Sequence, residues 1–298
     1  MQQTFKATGF SFTKIVILES LEEHDPHKTG ETLKTVIDGF VSDAGMAMPV
    51  ELVRCVTKDD VLNTLERLIT EATTEEQIPV IHFECHGNPD HGLFCADDTV
   101  VDWGTLGRYL TRLNKATGLN LLAVFAACHG GYFLKNLSPL APSPCWAMVG
   151  PTESIDPADA MGGFRSFYRV AINDRDIGLA AAALKGHSLA NGRWLSQHCE
   201  IWFESVVKNY VVRLCNKEAT RKRAKAMHRQ SVKQGTPKSI GFFIRALKNL
   251  NRQNLSGKFF DSYFMVHEIP SNDKRFAPMR IRIERLLQDL RGTGLYIV

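Results

Sequence analysis

The sequence has no long apolar run. None of its stretches approaches the roughly 18 apolar residues that a membrane-spanning helix needs, and Met1 to Gly9 lacks the apolar centre of a secretion signal. Both absences point to a soluble protein of the cytoplasm with no membrane span. The seven cysteines are odd in number and show no paired spacing, so reduced thiols are expected in place of a disulfide framework. Structural zinc is disfavoured on similar grounds, because Cys85, His86, Cys95, Cys128 and His129 lack the short paired ligand pattern. Acidic residues are nearly missing from one stretch: between Lys208 and Lys258, fourteen Lys/Arg accompany a single carboxylate, Glu218, beneath an overall formal charge of +4. The first two hundred residues are acidic on balance, which places a boundary near residue 205. There is no internal repeat.

The chain does have enough apolar content, 44% of 298 residues, to bury a sizeable core as one large domain or a domain with an appendage. Strand and helix patterns alternate. Thr13–Glu19 and Val50–Val56 read as strands. Helices are expected over Gly30–Asp43, with Leu33, Val36, Ile37, Phe40 and Val41 on one face, and over Lys58–Glu75 behind the capping signal Thr57-Lys58-Asp59-Asp60. A hairpin over Gly92–Asp102, a helix over Trp103–Thr117, a proline-rich loop over Asn136–Pro144, a buried strand over Cys145–Gly150 and helices from Pro157 and from Asp176 complete the first two hundred residues. Such alternation indicates an α/β fold with a mostly parallel sheet.

Two strings concentrate the chemistry. Val80-Ile81-His82-Phe83-Glu84-Cys85-His86-Gly87 and Leu121 to Gly131, which contains Ala127-Cys128-His129-Gly130-Gly131, are apolar runs ending in a reactive side chain and glycine. Chemistry in parallel sheets collects beyond the carboxyl ends of the strands, so His86 and Cys128 are expected in one crevice. A thiol of pKa ~8.5 needs a base to become the thiolate that attacks, and imidazole can take that proton and return it to a leaving amine. Gly87 lets a backbone N–H face a substrate carbonyl. With the N–H of Cys128 it would form an oxyanion hole worth roughly 3 kcal/mol per donor. Gly130 and Gly131 are expected to turn the chain sharply away from the thiol. His82 shares the strand face of His86 and is most simply a satisfied core histidine. His129 should point elsewhere.

These segments, with Ile155-Asp156-Pro157-Ala158-Asp159-Ala160, Phe164 to Tyr168 and Ala180 to Leu184, resemble the caspase-like cysteine peptidases, in particular the CHAT and related prokaryotic caspase families. The resemblance covers about residues 10 to 190. It implies a three-layer α/β/α sandwich, His86 as base, Cys128 as nucleophile, Gly87 and Cys128 as oxyanion donors, and no cofactor. Animal caspases carry Arg where His129 stands, so their aspartate specificity does not transfer. Related basic-specific enzymes imply an acidic specificity pocket, with Asp156 the first choice and Glu153 the second. The competing reading of Asp156 is a helix N-cap ahead of Pro157.

The resulting expectation is a peptidase domain over residues 1–200 and a basic, largely helical extension over 201–298 packed on it. The function expected is cleavage of one defined protein, as in bacterial defence or programmed cell death, for instance of a gasdermin-like pore-former. Arg213, Lys217, Arg221 and Lys225 recur at helical spacing. This stretch is most simply a solvated face, and nucleic acid is an open but unfavoured partner. Lys258–Val266 is too apolar for a loose tail and reads as a strand or a buried helix. The alternative function is a non-catalytic module that holds nucleic acid or a partner protein through the basic region.

Overall fold

β1 (Lys14–Ser20) is buried along its whole length, as a strand covered by helices on both faces must be. This computed structural model describes residues 10–25, 28–136 and 141–296. α1 (Thr29–Asp43) turns Leu33, Ile37 and Val41 inward at helical spacing, with Val36 and Phe40 only half-buried. β2 (Val50–Arg54) leads to α2 (Lys58–Thr74), which opens with the expected reciprocal cap: Thr57 Oγ1 accepts the Asp60 N–H at 3.1 Å and Asp60 accepts the Thr57 N–H at 2.8 Å. β3 (Pro79–Asn88) continues into a small hairpin, β4 (Gly92–Phe94) and β5 (Val100–Val101). α3 (Trp103–Ala116), capped by Asp102, β6 (Leu122–Ala126) and a 3₁₀ segment from Gly130 to Asn136 follow. Residues 137–140 of the expected proline-rich loop lie outside the described residues. β7 (Ala147–Pro151), α4 (Pro157–Asn173), α5 (Ile177–Gly186) and β8 (Trp194–His198) complete the first of two compact units, which ends at Cys199.

The main sheet runs β2-β1-β3-β6-β7-β8, parallel except for β8, which is antiparallel to β7. α1 packs on α4 and α2 on α3. Alternation along β3 shows that the pairs cover opposite faces: His82 meets Phe164 and Tyr168 of α4, whereas Phe83 stacks on Phe125, which meets Trp103 of α3. The unit is therefore a mostly parallel α/β/α sandwich. Strand order reverses between β1 and β3, the position where a crevice opens beyond the strand ends.

The second unit runs mainly from Glu200, and among its described residues every regular element is a helix. It contains α6 (Cys199–Leu214, whose first residue belongs to the sheet unit), α7 (Lys217–Lys233), α8 (Ile240–Gln253), a π-helical turn over Asn254–Lys258, α9 (Phe259–Tyr263), α10 (Ser271–Arg275) and α11 (Ala277–Gly292). Phe203, Phe260, Tyr263, Phe264 and Phe276 form an aromatic core. The apolar tail segment is thus a buried helix. One expectation needs correction here. Arg213 closes α6 while Lys217 opens α7, so the four spaced cations do not share a helix; Asn216 caps α7 by accepting the Ala219 N–H at 2.9 Å. Among the described residues, no helix is long and apolar enough to cross a membrane.

Candidate active site

A cavity of about 200 Å³ lies at the strand-order reversal, walled by Asp25 beyond β1, by Glu84 and His86 on β3, and by Cys128 beyond β6, with Leu21 and Ile155 on its apolar side. β3 does not stop at His86. It runs on to Asn88 because the hairpin pairs with it, Gly87 lying opposite Leu93. β6 ends at Ala126, so Cys128 sits two residues past the strand, in the turn. Gly87 fixes the approach of the two segments: a Cβ there would lie 2.2 Å from the Cys128 carbonyl oxygen and 3.1 Å from Ala127 Cβ. Only a residue without a side chain permits that contact.

The turn after Cys128 differs from expectation. His129, not a glycine, carries the left-handed backbone conformation, with φ of 59°. Gly130 and Gly131 serve close packing instead: a Cβ on Gly130 would stand 2.5 Å from Phe125 Cβ, and one on Gly131 would stand 3.1 Å from the Pro151 carbonyl oxygen. The His129 N–H holds the Glu153 carbonyl at 3.1 Å, which pins the turn to the end of β7. Its ring leans on Tyr132 and Ser154 and does not line the cavity. A non-glycine residue in this region stores roughly 1–3 kcal/mol of strain, and Glu76, Asp98, Leu119, Arg175 and Met265 also adopt it elsewhere among the described residues. Among the described residues the Cys128 N–H has no intramolecular acceptor, which leaves it able to donate to an oxyanion.

Cys128 is the one cysteine of seven that is not buried. Burial pushes the thiols of Cys55 and Cys215 up to about 11 and that of Cys145 up to about 12. Cys85 is likewise held well above the ordinary thiol value by burial. Such thiols stay protonated and unreactive at neutral pH. His86 is 56% exposed at its side chain, and its Nε2 lies 3.3 Å from both carboxylate oxygens of Asp25. Asp25 is held by its own turn, accepting the Glu22 N–H at 2.8 Å. With Nε2–H directed at Asp25, Nδ1 is the ring nitrogen left as an acceptor.

Glu84 forms the floor. Its side chain is 6% exposed, and it accepts from the Thr29 hydroxyl and from His82 Nε2 at 2.7 Å, while His82 Nδ1 faces the Tyr168 hydroxyl at 3.0 Å. Burial holds the Tyr168 hydroxyl well above its ordinary pKa, so it remains a donor. Every partner is satisfied with His82 as the Nε2–H tautomer. The carboxylates of Glu84 and of Glu19, which accepts the Gly30 N–H at 3.0 Å, stand at the N-terminus of α1. There the helix dipole offsets part of the cost of burying negative charge.

The structure brings His86, Gly87 and Cys128 together and leaves the other expected residues outside their cavity. Asp156 caps α4, accepting the Ala158 N–H at 2.8 Å, and lines a separate cavity with Lys28 and Met161. Glu153 lines another, larger one with Tyr132, Lys135 and Arg193. Asp25 and Glu84 were not singled out by sequence. Glu84 has a signal, since alternation puts it on one strand face with His82 and His86. Among the described residues no group of three or more His, Cys, Asp or Glu is placed to hold a metal ion. Compared with known proteins, the chain matches no family model and no curated protein.

The position of Asp25 gives a first expected result. Asp25→Asn keeps the shape but loses the charge beside the imidazole, and in the peptide hydrolysis proposed below kcat should fall about 10- to 100-fold with KM little changed. Asp25→Glu should recover part of the loss. A steady-state comparison of the two variants checks this, and equal kcat in all three proteins removes the role.

Proposed function

We propose that the chain is a cysteine endopeptidase of caspase-like type that cleaves a protein substrate with His86 and Cys128. The observation carrying this reading is the convergence of the single accessible thiol and a carboxylate-held imidazole on one cavity, on backbones that Gly87 keeps in contact. The thiolate of Cys128 attacks the scissile carbonyl, and its proton passes to His86. The N–H groups of Cys128 and Gly87 hold the oxyanion. As the intermediate collapses, the C–N bond breaks, His86 returns the proton to the departing amine, and the acyl group remains as a thioester. Water, deprotonated by His86, then attacks the thioester and releases the carboxylic acid and the thiol.

The cavity wall carries the carboxylates of Asp25 and Glu84 and, among the described residues, no Lys or Arg. A cationic side chain on the acyl side of the cut bond is the one this wall favours, in place of recognition through Asp156 or Glu153. Resemblance to prokaryotic caspases makes one defined cytoplasmic protein, such as a gasdermin-like pore-former, the kind of substrate to try.

The test is labelling by peptide acyloxymethyl ketones. An arginine probe should modify the protein once, at Cys128, far faster than an aspartate probe of the same length. Faster reaction of the aspartate probe would overturn the cationic preference alone. No modification at Cys128 by any probe would overturn the peptidase reading and favour a binding module.

A further inference from the structure

We propose that the second unit binds nucleic acid through its phosphates, independently of the chemistry at Cys128. The cations of α7 form a row: Lys217, Arg221, Lys225, Arg229 and Lys233 recur every fourth residue along the whole helix, and all five are exposed. At 1.5 Å rise and 3.6 residues per turn, neighbours stand about 6 Å apart along the axis and each step turns about 40°, so the row climbs about 24 Å while winding round the helix, and Arg221, Lys225 and Arg229 at its centre share one face. Glu218 is the helix's single carboxylate and lies in its first turn, where the dipole favours a negative charge.

The charge is uncompensated. Among the described residues, none of the fourteen Lys/Arg between Lys208 and Lys258 pairs with a carboxylate, whereas Arg280 and Arg282 of the same unit do, with Asp261, Asp273 and Glu204. Folding gains nothing from such a field, since like charges repel. A polyanion would neutralise it.

Three features favour nucleic acid over other anionic partners. A membrane-surface helix needs a free apolar face beneath its cations, but α7 has already used its apolar side: Ala224 packs with Phe243 and Leu247 of α8. A protein interface draws its energy from buried aromatic anchors and is depleted in Lys; α7 itself carries no Phe, Tyr or Trp, and the ring beside its cations, Tyr210 of α6, is already covered by Arg223. A long row of evenly spaced cations suits a partner of uniform, repeated charge, and it reads no bases.

The experiment measures fluorescence anisotropy of the full chain with a labelled 30-nucleotide RNA and a 30-base-pair DNA duplex of unrelated sequences. Binding without sequence preference is expected, with log K falling against log salt at a slope of about −3 to −4.5 for four or five phosphate contacts. Arg221→Gln, Lys225→Gln and Arg229→Gln combined should weaken binding by at least tenfold and flatten the slope by two to three. Lys34→Gln with Lys115→Gln, which removes two cations of the sheet unit, should leave both unchanged, and circular dichroism confirms folding of each variant. If the triple variant does not fold, the three single substitutions replace it, each expected to lower the slope by about one. Absence of binding at 50 mM salt, binding insensitive to these substitutions, or tighter binding to anionic vesicles or polyglutamate than to either nucleic acid would overturn the proposal.

Discussion

Cys128→Ala and His86→Ala should each lower peptide hydrolysis by at least about 10³-fold while the protein keeps its melting temperature within a few degrees. The size follows from the chemistry: without the thiol there is no nucleophile, and without the imidazole neither thiolate formation nor protonation of the amine has a proton carrier. The small structural effect follows from position. Neither side chain belongs to the core, His86 being 56% exposed at its side chain and Cys128 half-buried. Combining the substitutions should cost little more than either alone, because the two residues act as a unit. Cys85→Ala is the control: its thiol is buried and held protonated, so that variant should lose some stability through a small cavity yet keep most of its activity. Purified variants assayed side by side settle the matter. Full activity in either single variant would sink the dyad.

The residues that could be read from sequence are those whose signal is local. The apolar runs before His86 and before Cys128 mark β3 and β6 without knowledge of what pairs with them, though not where β3 ends, and Thr57 with Asp60 marks a helix start within four residues. Asp25 could not be read in this way. Its partner, His86, is 61 residues distant in sequence, and only the parallel pairing of β1 with β3 places the loop after one beside the end of the other. The basic stretch shows a different failure: even spacing of cations carried the helix pattern across Cys215-Asn216, although Asn216 is itself a capping signal. At the turn after Cys128, the sequence points to glycine as the residue for a sharp change of direction. The left-handed conformation instead fell on His129, because Gly130 is required where the backbone presses on Phe125.

The same crowding makes Gly87→Ala the most damaging small substitution in the site. A methyl group at Gly87 would stand 2.2 Å from the Cys128 carbonyl oxygen, well inside van der Waals contact, and the obstacle is backbone, which cannot rotate away as a side chain can. The segments must therefore part, and overpacking of this kind costs roughly 1–3 kcal/mol. Activity should suffer more than stability. A displacement near 1 Å among the groups of the proposed site, Cys128, His86 and the backbone N–H donors, would cost about 10²-fold, although alanine keeps the backbone N–H at position 87. Gly39→Ala gives the opposite sign from an identical chemical change. Gly39 lies within α1, is exposed, and has nothing within 4 Å of the added carbon. Alanine there should raise stability by roughly 0.5–1 kcal/mol through helix propensity alone. Thermal melts of both variants, with the rate of Cys128 alkylation as a measure of site geometry, test the pair. Unchanged alkylation and activity in the Gly87→Ala protein would show that the two segments do not meet as described, and the shared placement of His86 and Cys128 would fall with that contact.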